Sequence, residues 1–165
     1  MALWFAGMAL ATVWLVFRDP ALDYRLVVVG ALLPDGVDAA SGGRVMHTVL
    51  FSALLLAVVM LATRHRRNRR RHVLTVPIGT FLHLVFDGAW ARTELFWWPL
   101  FGTSFGGESL PAVERGWADL PLELVGLAVL VWLWRRFRLA EPARRSLFLR
   151  TGRVGRDLVG EREAE

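Results

Sequence analysis

The sequence predicts an all-α protein, a polytopic membrane helical bundle of about five hydrophobic helices, four long and one short or re-entrant. Three observations carry this expectation. Of 165 residues, 55% are hydrophobic and 12% aromatic, with eight Trp, a more apolar mix than soluble domains use. The apolar residues gather into runs that approach the ~20 residues needed to cross a bilayer. The charges are sorted between those runs. Fifteen of the twenty Arg fall in two segments, Arg64–Arg71 and Arg135 onward, among only five acids, while ten acids and five Arg occupy the rest.

Met1–Phe17 carries no charge and stops at Arg18-Asp19-Pro20. It lacks the basic start of a cleaved leader, and its A-x-A at Ala9–Ala11 comes too early, so it reads as a retained helix. Pro20 behind Asp19 reads as a first-turn proline after an N-cap, which starts the next helix there. Asp23–Ala40 has a short apolar centre with Pro34 near its end, and either crosses or re-enters. Met46–Thr63 is close to a full crossing bounded by Arg. Val73–Trp90 is another, interrupted only by His83 and Asp87. Trp117–Trp134 is the last, with Asp119 and Glu123 as N-cap and first-turn acid. Residues 1–140 therefore read as a helical integral-membrane domain. Residues 141–165 alternate Arg with acids around short apolar pieces such as Leu147–Leu149 and read as a cytoplasmic tail, flexible or else an interfacial helix on the anionic inner leaflet.

Cytoplasmic loops are enriched in positive charge. The two Arg-rich segments then face the cytoplasm, with the C-terminus inside an inner (plasma) membrane whose anionic inner leaflet is the partner. Nucleic acid is not expected, because the Arg64–His72 run is tethered to a helix at each end; His65 and His72 read as solvated. Trp90, Phe96, Trp97, Trp98 and Trp117 fit an interfacial aromatic belt on the opposite face. Gly102–Gly107 (GTSFGG) lacks a P-loop lysine and reads as a turn. The absence of Cys excludes disulfides, thiolate metal sites and cysteine nucleophiles.

Ionisable residues inside apolar segments are expensive, about 2.5–3.5 kcal/mol each on insertion scales, and mark function by default. Here they converge. His83 and Asp87, four apart, share one helical face, extended by Gly79 and Thr80. Gly79 lets a neighbouring helix approach closely. Asp35 and Asp38 end the preceding segment in LLPDGVD, and His47 opens the second long run. On the expected topology all five lie at the outer end of the bundle. Two imidazoles with three carboxylates suit a divalent metal, foremost Zn, with Mn or Fe as alternatives. His47, His83 and Asp87 are the expected ligands, with Asp35 or Asp38 as the remaining ligand or the general base. Other readings stand beside this one: a small transporter or ion relay, or a scaffold in which the cluster only ties helices together. The apolar cytoplasmic half of the runs disfavours a transport path.

The order Pro-Asp-x-x-Asp, a His at a helix start, His-x-x-x-Asp and an aromatic-Pro segment resembles the YdjM-like family of membrane-bound metal-dependent hydrolases of bacterial inner membranes. The matching pieces are LLPDGVD (Leu32–Asp38), MHTVLFS (Met46–Ser52), HLVFD (His83–Asp87) and FWWPLFG (Phe96–Gly102). The resemblance implies a helical membrane protein whose Asp35, Asp38, His47, His83 and Asp87 form a metal site for hydrolysis; on the expected topology that site lies at the membrane boundary, a depth that suits a lipid-like or phosphoester substrate. One departure stands out: where members carry His-Arg-Gly, this chain reads Gly42-Gly43-Arg44, one imidazole fewer.

Overall fold

The computed structural model describes residues 1–41, 44–91, 93–100 and 116–160, and all regular structure among them is helical. The expected all-α class is what folds. The Gly102–Gly107 segment and Gly42-Gly43 lie outside the described residues.

Helix α1 (Ala2–Phe17) follows its uncharged run and stops where Arg18 turns left-handed, its N–H returning to the Trp14 carbonyl at 3.1 Å. Helix α2 (Tyr24–Ser41) starts four residues after Pro20, later than expected. Asp19 is occupied elsewhere: its carboxylate accepts the Ala21 N–H at 2.9 Å and pairs with Arg71 at 2.6 Å. Asp23 takes the capping role instead, its Oδ1 accepting the Arg25 N–H at 3.1 Å. Pro34 does not end α2. A proline removes one backbone bond, here the one to Gly30, and the helix runs on to Ser41.

Helix α3 (Val49–Ala62) is preceded by a 3-10 turn, Val45–His47, and capped by Thr48, whose hydroxyl accepts the Phe51 N–H at 3.1 Å. The Arg-rich connection forms a short helix, α4 (Arg67–Val73), before α5 (Thr75–Asp87), which ends on a left-handed Gly88. A single turn, α6 (Thr93–Phe96), leads to the aromatic-Pro segment. Helix α7 spans Asp119–Arg136, so Asp119, expected as its N-cap, is its first residue instead.

Where crossings of about 20 residues were expected, the helices are shorter. The Met46–Thr63 run keeps 14 residues in α3 and Val73–Trp90 keeps 13 in α5, because 3-10 turns and caps take up their ends. Helix α7 carries two acids and two Arg. Among the described residues no helix is long and apolar enough to cross a membrane.

Helices α1, α2, α5 and α7 make the core. Two glycine contacts set its spacing. Helices α1 and α7 meet at Gly7 and Gly126, where a Cβ on Gly7 would stand 2.7 Å from the Gly126 carbonyl oxygen. Helices α2 and α5 meet at Gly30 and Gly79: a Cβ on Gly30 would overlap the Val76 carbonyl oxygen, and one on Gly79 would stand 2.9 Å from the Ala31 amide nitrogen. The chain reverses at each connection. The N-terminal ends of α1, α3 and α7 therefore share one end of the bundle with the C-terminal ends of α2 and α5. The Arg-rich segments gather at the other end.

The segment expected to be a flexible tail is folded as far as residue 160. Helices α8 (Pro142–Thr151) and α9 (Asp157–Gly160) bind back onto the Arg-rich end. Val154 and Leu158 are buried in the same core as Trp14, Tyr24 and Phe137. Tyr24 N–H donates to the Gly152 carbonyl at 2.9 Å, and Arg136 donates to that of Leu158 at 2.9 Å. The physical reason lies in two apolar residues four apart, Val154 and Leu158, hidden in an otherwise charged stretch. His72, expected to be solvated, accepts a hydrogen bond from Arg153 at 2.9 Å.

Candidate metal centre

The α2–α5 glycine contact positions the site. His83 lies one turn beyond Gly79, so the tight approach brings its Nδ1 to 2.7 Å from the Ala31 carbonyl oxygen. Asp35 lies one turn beyond Ala31 on α2. Asp38, one turn further along, receives the incoming 3-10 turn: its Oδ2 accepts the Met46 N–H at 3.1 Å and faces His47 Nδ1 at 2.7 Å. Both imidazoles and Asp38 are buried. Phe5 of α1 covers His83, with ring centroids 4.0 Å apart.

Three ligand atoms converge. His47 Nε2 and His83 Nε2 are 3.3 Å apart, and each is 3.5 Å from Asp35 Oδ1. A point equidistant from the three lies about 2.0 Å from each, the ordinary metal–nitrogen and metal–oxygen ligand distance. Hydrogen bonding fixes what the atoms offer. A carbonyl only accepts, so His83 Nδ1 carries the proton and Nε2 presents its lone pair. The Asp38 carboxylate accepts from His47 Nδ1, so a neutral His47 likewise presents Nε2. With both rings neutral, two lone pairs and a carboxylate oxygen point at one spot, as metal ligands do. The group could hold a metal ion. Asp35 is the member that reaches solvent, its side chain 31% exposed.

Of the five residues expected from sequence, His47, His83 and Asp35 supply the converging atoms. Asp38 stands behind His47 and orients it, as carboxylates behind metal-binding histidines do. Asp87 is buried one turn beyond His83, outside the three-atom group but near enough for its charge to act on His47. Glu123, expected as a first-turn acid of the last helix, also accepts the Leu3 N–H at 3.0 Å and so serves the start of α1. Sequence reasoning missed the Ala31 carbonyl and Phe5. The first is backbone, which no side-chain pattern reveals. The second is an ordinary aromatic in an apolar run.

Comparison of the chain with protein families, with curated proteins and with solved structures finds no match.

Proposed function

We propose that this chain is a metal-dependent hydrolase embedded in a bilayer, with zinc held by His47, His83 and Asp35. One observation carries the reading: two imidazoles, each turned by an Nδ1 hydrogen bond so that Nε2 faces a carboxylate oxygen, form a triangle with 3.3–3.5 Å edges. Those edges match three corners of a tetrahedron around zinc and leave the fourth corner for water or substrate. Mn or Fe would accept the same donors. Bound zinc would lower the pKa of a water toward ~7 and polarise a scissile ester or phosphoester. The protein's part is orientation. Asp38 and Ala31 hold the rings, Phe5 keeps bulk water off His83, and Asp35 has a second oxygen to accept the proton lost by the attacking water. That proton passes to the departing alcohol as its bond breaks. The same residues carry the resemblance to the YdjM-like hydrolases.

The membrane reading is supported by the surface. Helix α3 has one polar residue, Ser52, and buries only Ser52 and Val59, seven apart on one face. Leu54, Val58 and Leu61 stand exposed, Leu61 by 72%. A helix apolar all round belongs in a core or in lipid. Short helices are accommodated by local bilayer thinning. Trp90, Trp97 and Trp117 are exposed at the metal end, as an interfacial belt requires, and the Arg-rich end would face the anionic leaflet and the cytoplasm.

Elemental analysis of the purified full chain tests the metal. About one zinc per chain is expected in wild type, and less than a tenth of that in His83→Ala. Equal, negligible metal in both would overturn the reading. Metal bound without chelator-sensitive hydrolysis of ester or phosphoester substrates would make the centre a structural one.

A further inference from the structure

The turn between α3 and α4 crowds Arg64, Arg66, Arg67 and Arg69 together, all of them exposed. Among the described residues their guanidinium groups make no hydrogen bond or ion pair. The acids described at the same end are already paired elsewhere: Asp19 with Arg71, Asp23 with Arg25, Glu141 and Asp157 with Arg144. Like charges held so close repel one another, and a bound anion relieves the repulsion. His65, Arg66, Arg67 and Arg69 line an open hollow of about 520 Å³, within the roughly 300–1,000 Å³ of ligand sites.

Two features say which anion. Exposed apolar residues flank the turn on both sides, Met60 and Leu61 before it and Val73 after it. A nucleic acid or an acidic peptide would leave them in water, whereas a lipid head arrives with its own tails to cover them. The guanidinium groups set the charge of the head. Arg takes phosphate oxygens bidentately. A diester head offers one negative charge. A phosphomonoester offers about 1.5 to 2, with three acceptor oxygens, the closer match to Arg66, Arg67 and Arg69 around one hollow.

We infer that this turn binds the phosphomonoester head of an anionic membrane lipid, with Arg66, Arg67 and Arg69 sharing its phosphate oxygens and the acyl tails lying along Met60 and Leu61. Any acidic lipid would satisfy a general attraction to an anionic leaflet; this site selects one head chemistry at one place. The inference rests on the bilayer reading. It is independent of the metal centre, which lies at the opposite end of the bundle.

The test uses the full chain in non-ionic detergent micelles holding equimolar phosphatidic acid, a monoester head, and phosphatidylglycerol, a diester head. Native mass spectrometry counts the lipids retained. Wild type should keep phosphatidic acid over phosphatidylglycerol by about fivefold or more, and Arg66→Gln/Arg67→Gln should bring that ratio near one. Arg145→Gln/Arg150→Gln removes the same charge from exposed positions on α8 and should keep the wild-type ratio. Equal retention of both lipids by wild type, or equal losses in the two variants, would mean diffuse charge attraction and would overturn the inference. So would displacement of the lipid by equimolar glycerol 3-phosphate, because a soluble monoester would then be the occupant. The same chain is also offered to phosphatidylcholine vesicles. Insertion there with no head preference in micelles would sink the site and leave the bilayer reading standing. A head preference in a chain that does not insert would bear out the site and overturn the bilayer reading instead.

Discussion

Gly79→Ala should damage the metal centre without touching any ligand. An added Cβ would overlap the Val27 carbonyl oxygen and stand 2.9 Å from the Ala31 amide nitrogen, whereas ordinary contact begins at 3.4 Å. Both obstacles are backbone, so α2 itself must move, by at least about 0.5 Å at the Ala31 contact. Metal sites tolerate about ±0.2 Å in ligand distance. The shift carries Ala31, which orients His83, and Asp35, one turn further along the same helix. Loss of a supporting contact of this kind lowers metal affinity about 10–100-fold, or roughly 1.4–2.8 kcal/mol. Overpacking should also cost about 1–3 kcal/mol of fold stability. Competition titration of zinc against a chromophoric chelator measures the first quantity, and thermal unfolding of the zinc-free protein the second. Gly36→Ala on the same helix is the control, since a Cβ there meets nothing within 4 Å. Zinc affinity within twofold of wild type in a folded Gly79→Ala protein would refute the claim that the glycine contact sets the site's geometry.

Asp38→Ala should weaken zinc about 10–100-fold by freeing the His47 ring, and Asp35→Ala should weaken it further by removing a ligand; the same titration ranks them. Gly152→Ala should release the α8–α9 segment, because Gly152 is left-handed (φ 70) and a Cβ there would overlap the Asp23 carboxylate; faster tryptic cleavage at Arg153 reports it. Burial pushes the Asp23 carboxyl up, but the hydrogen bonds and charge of Arg25 outweigh it and hold the group below its ordinary value. A lowered carboxylate stabilises the fold above its unfolded pKa of 3.8 and loses that contribution as pH falls through the folded value. Protection of the amides in residues 142–151, measured relative to their intrinsic exchange, should therefore fall below pH ~4, and in Asp23→Asn it should already be low at neutral pH.

Periodicity and placement made much of this legible. Uncharged runs announced α1 and α3, a long apolar run behind Asp119 and Glu123 announced α7, and the four-residue spacing of His83 and Asp87 announced one face of α5. The metal group was legible as a neighbourhood rather than as a division of labour. Asp35, Asp38 and Asp87 are alike in sequence, and only the incoming turn at Met46–His47 decides that Asp38 orients a ring while Asp35 faces both imidazoles. Helix ends were read less well. Pro20 suggested a start that Asp19 forfeits to its Arg71 pair. The tail misled through composition. Two buried residues, Val154 and Leu158, outweigh the Arg and acids around them, and the core they join includes Trp14 and Tyr24, more than 100 residues earlier.

That last contact bears on the order in which the chain assembles. Synthesis delivers α1 and α2 first, at about 5–20 residues per second, yet the cluster of Trp14 and Tyr24 is completed only by Phe137, Val154 and Leu158. The first hairpin must wait several seconds with its aromatic side uncovered, and nascent chains stalled before residue 154 should be the ones that chaperones and proteases find.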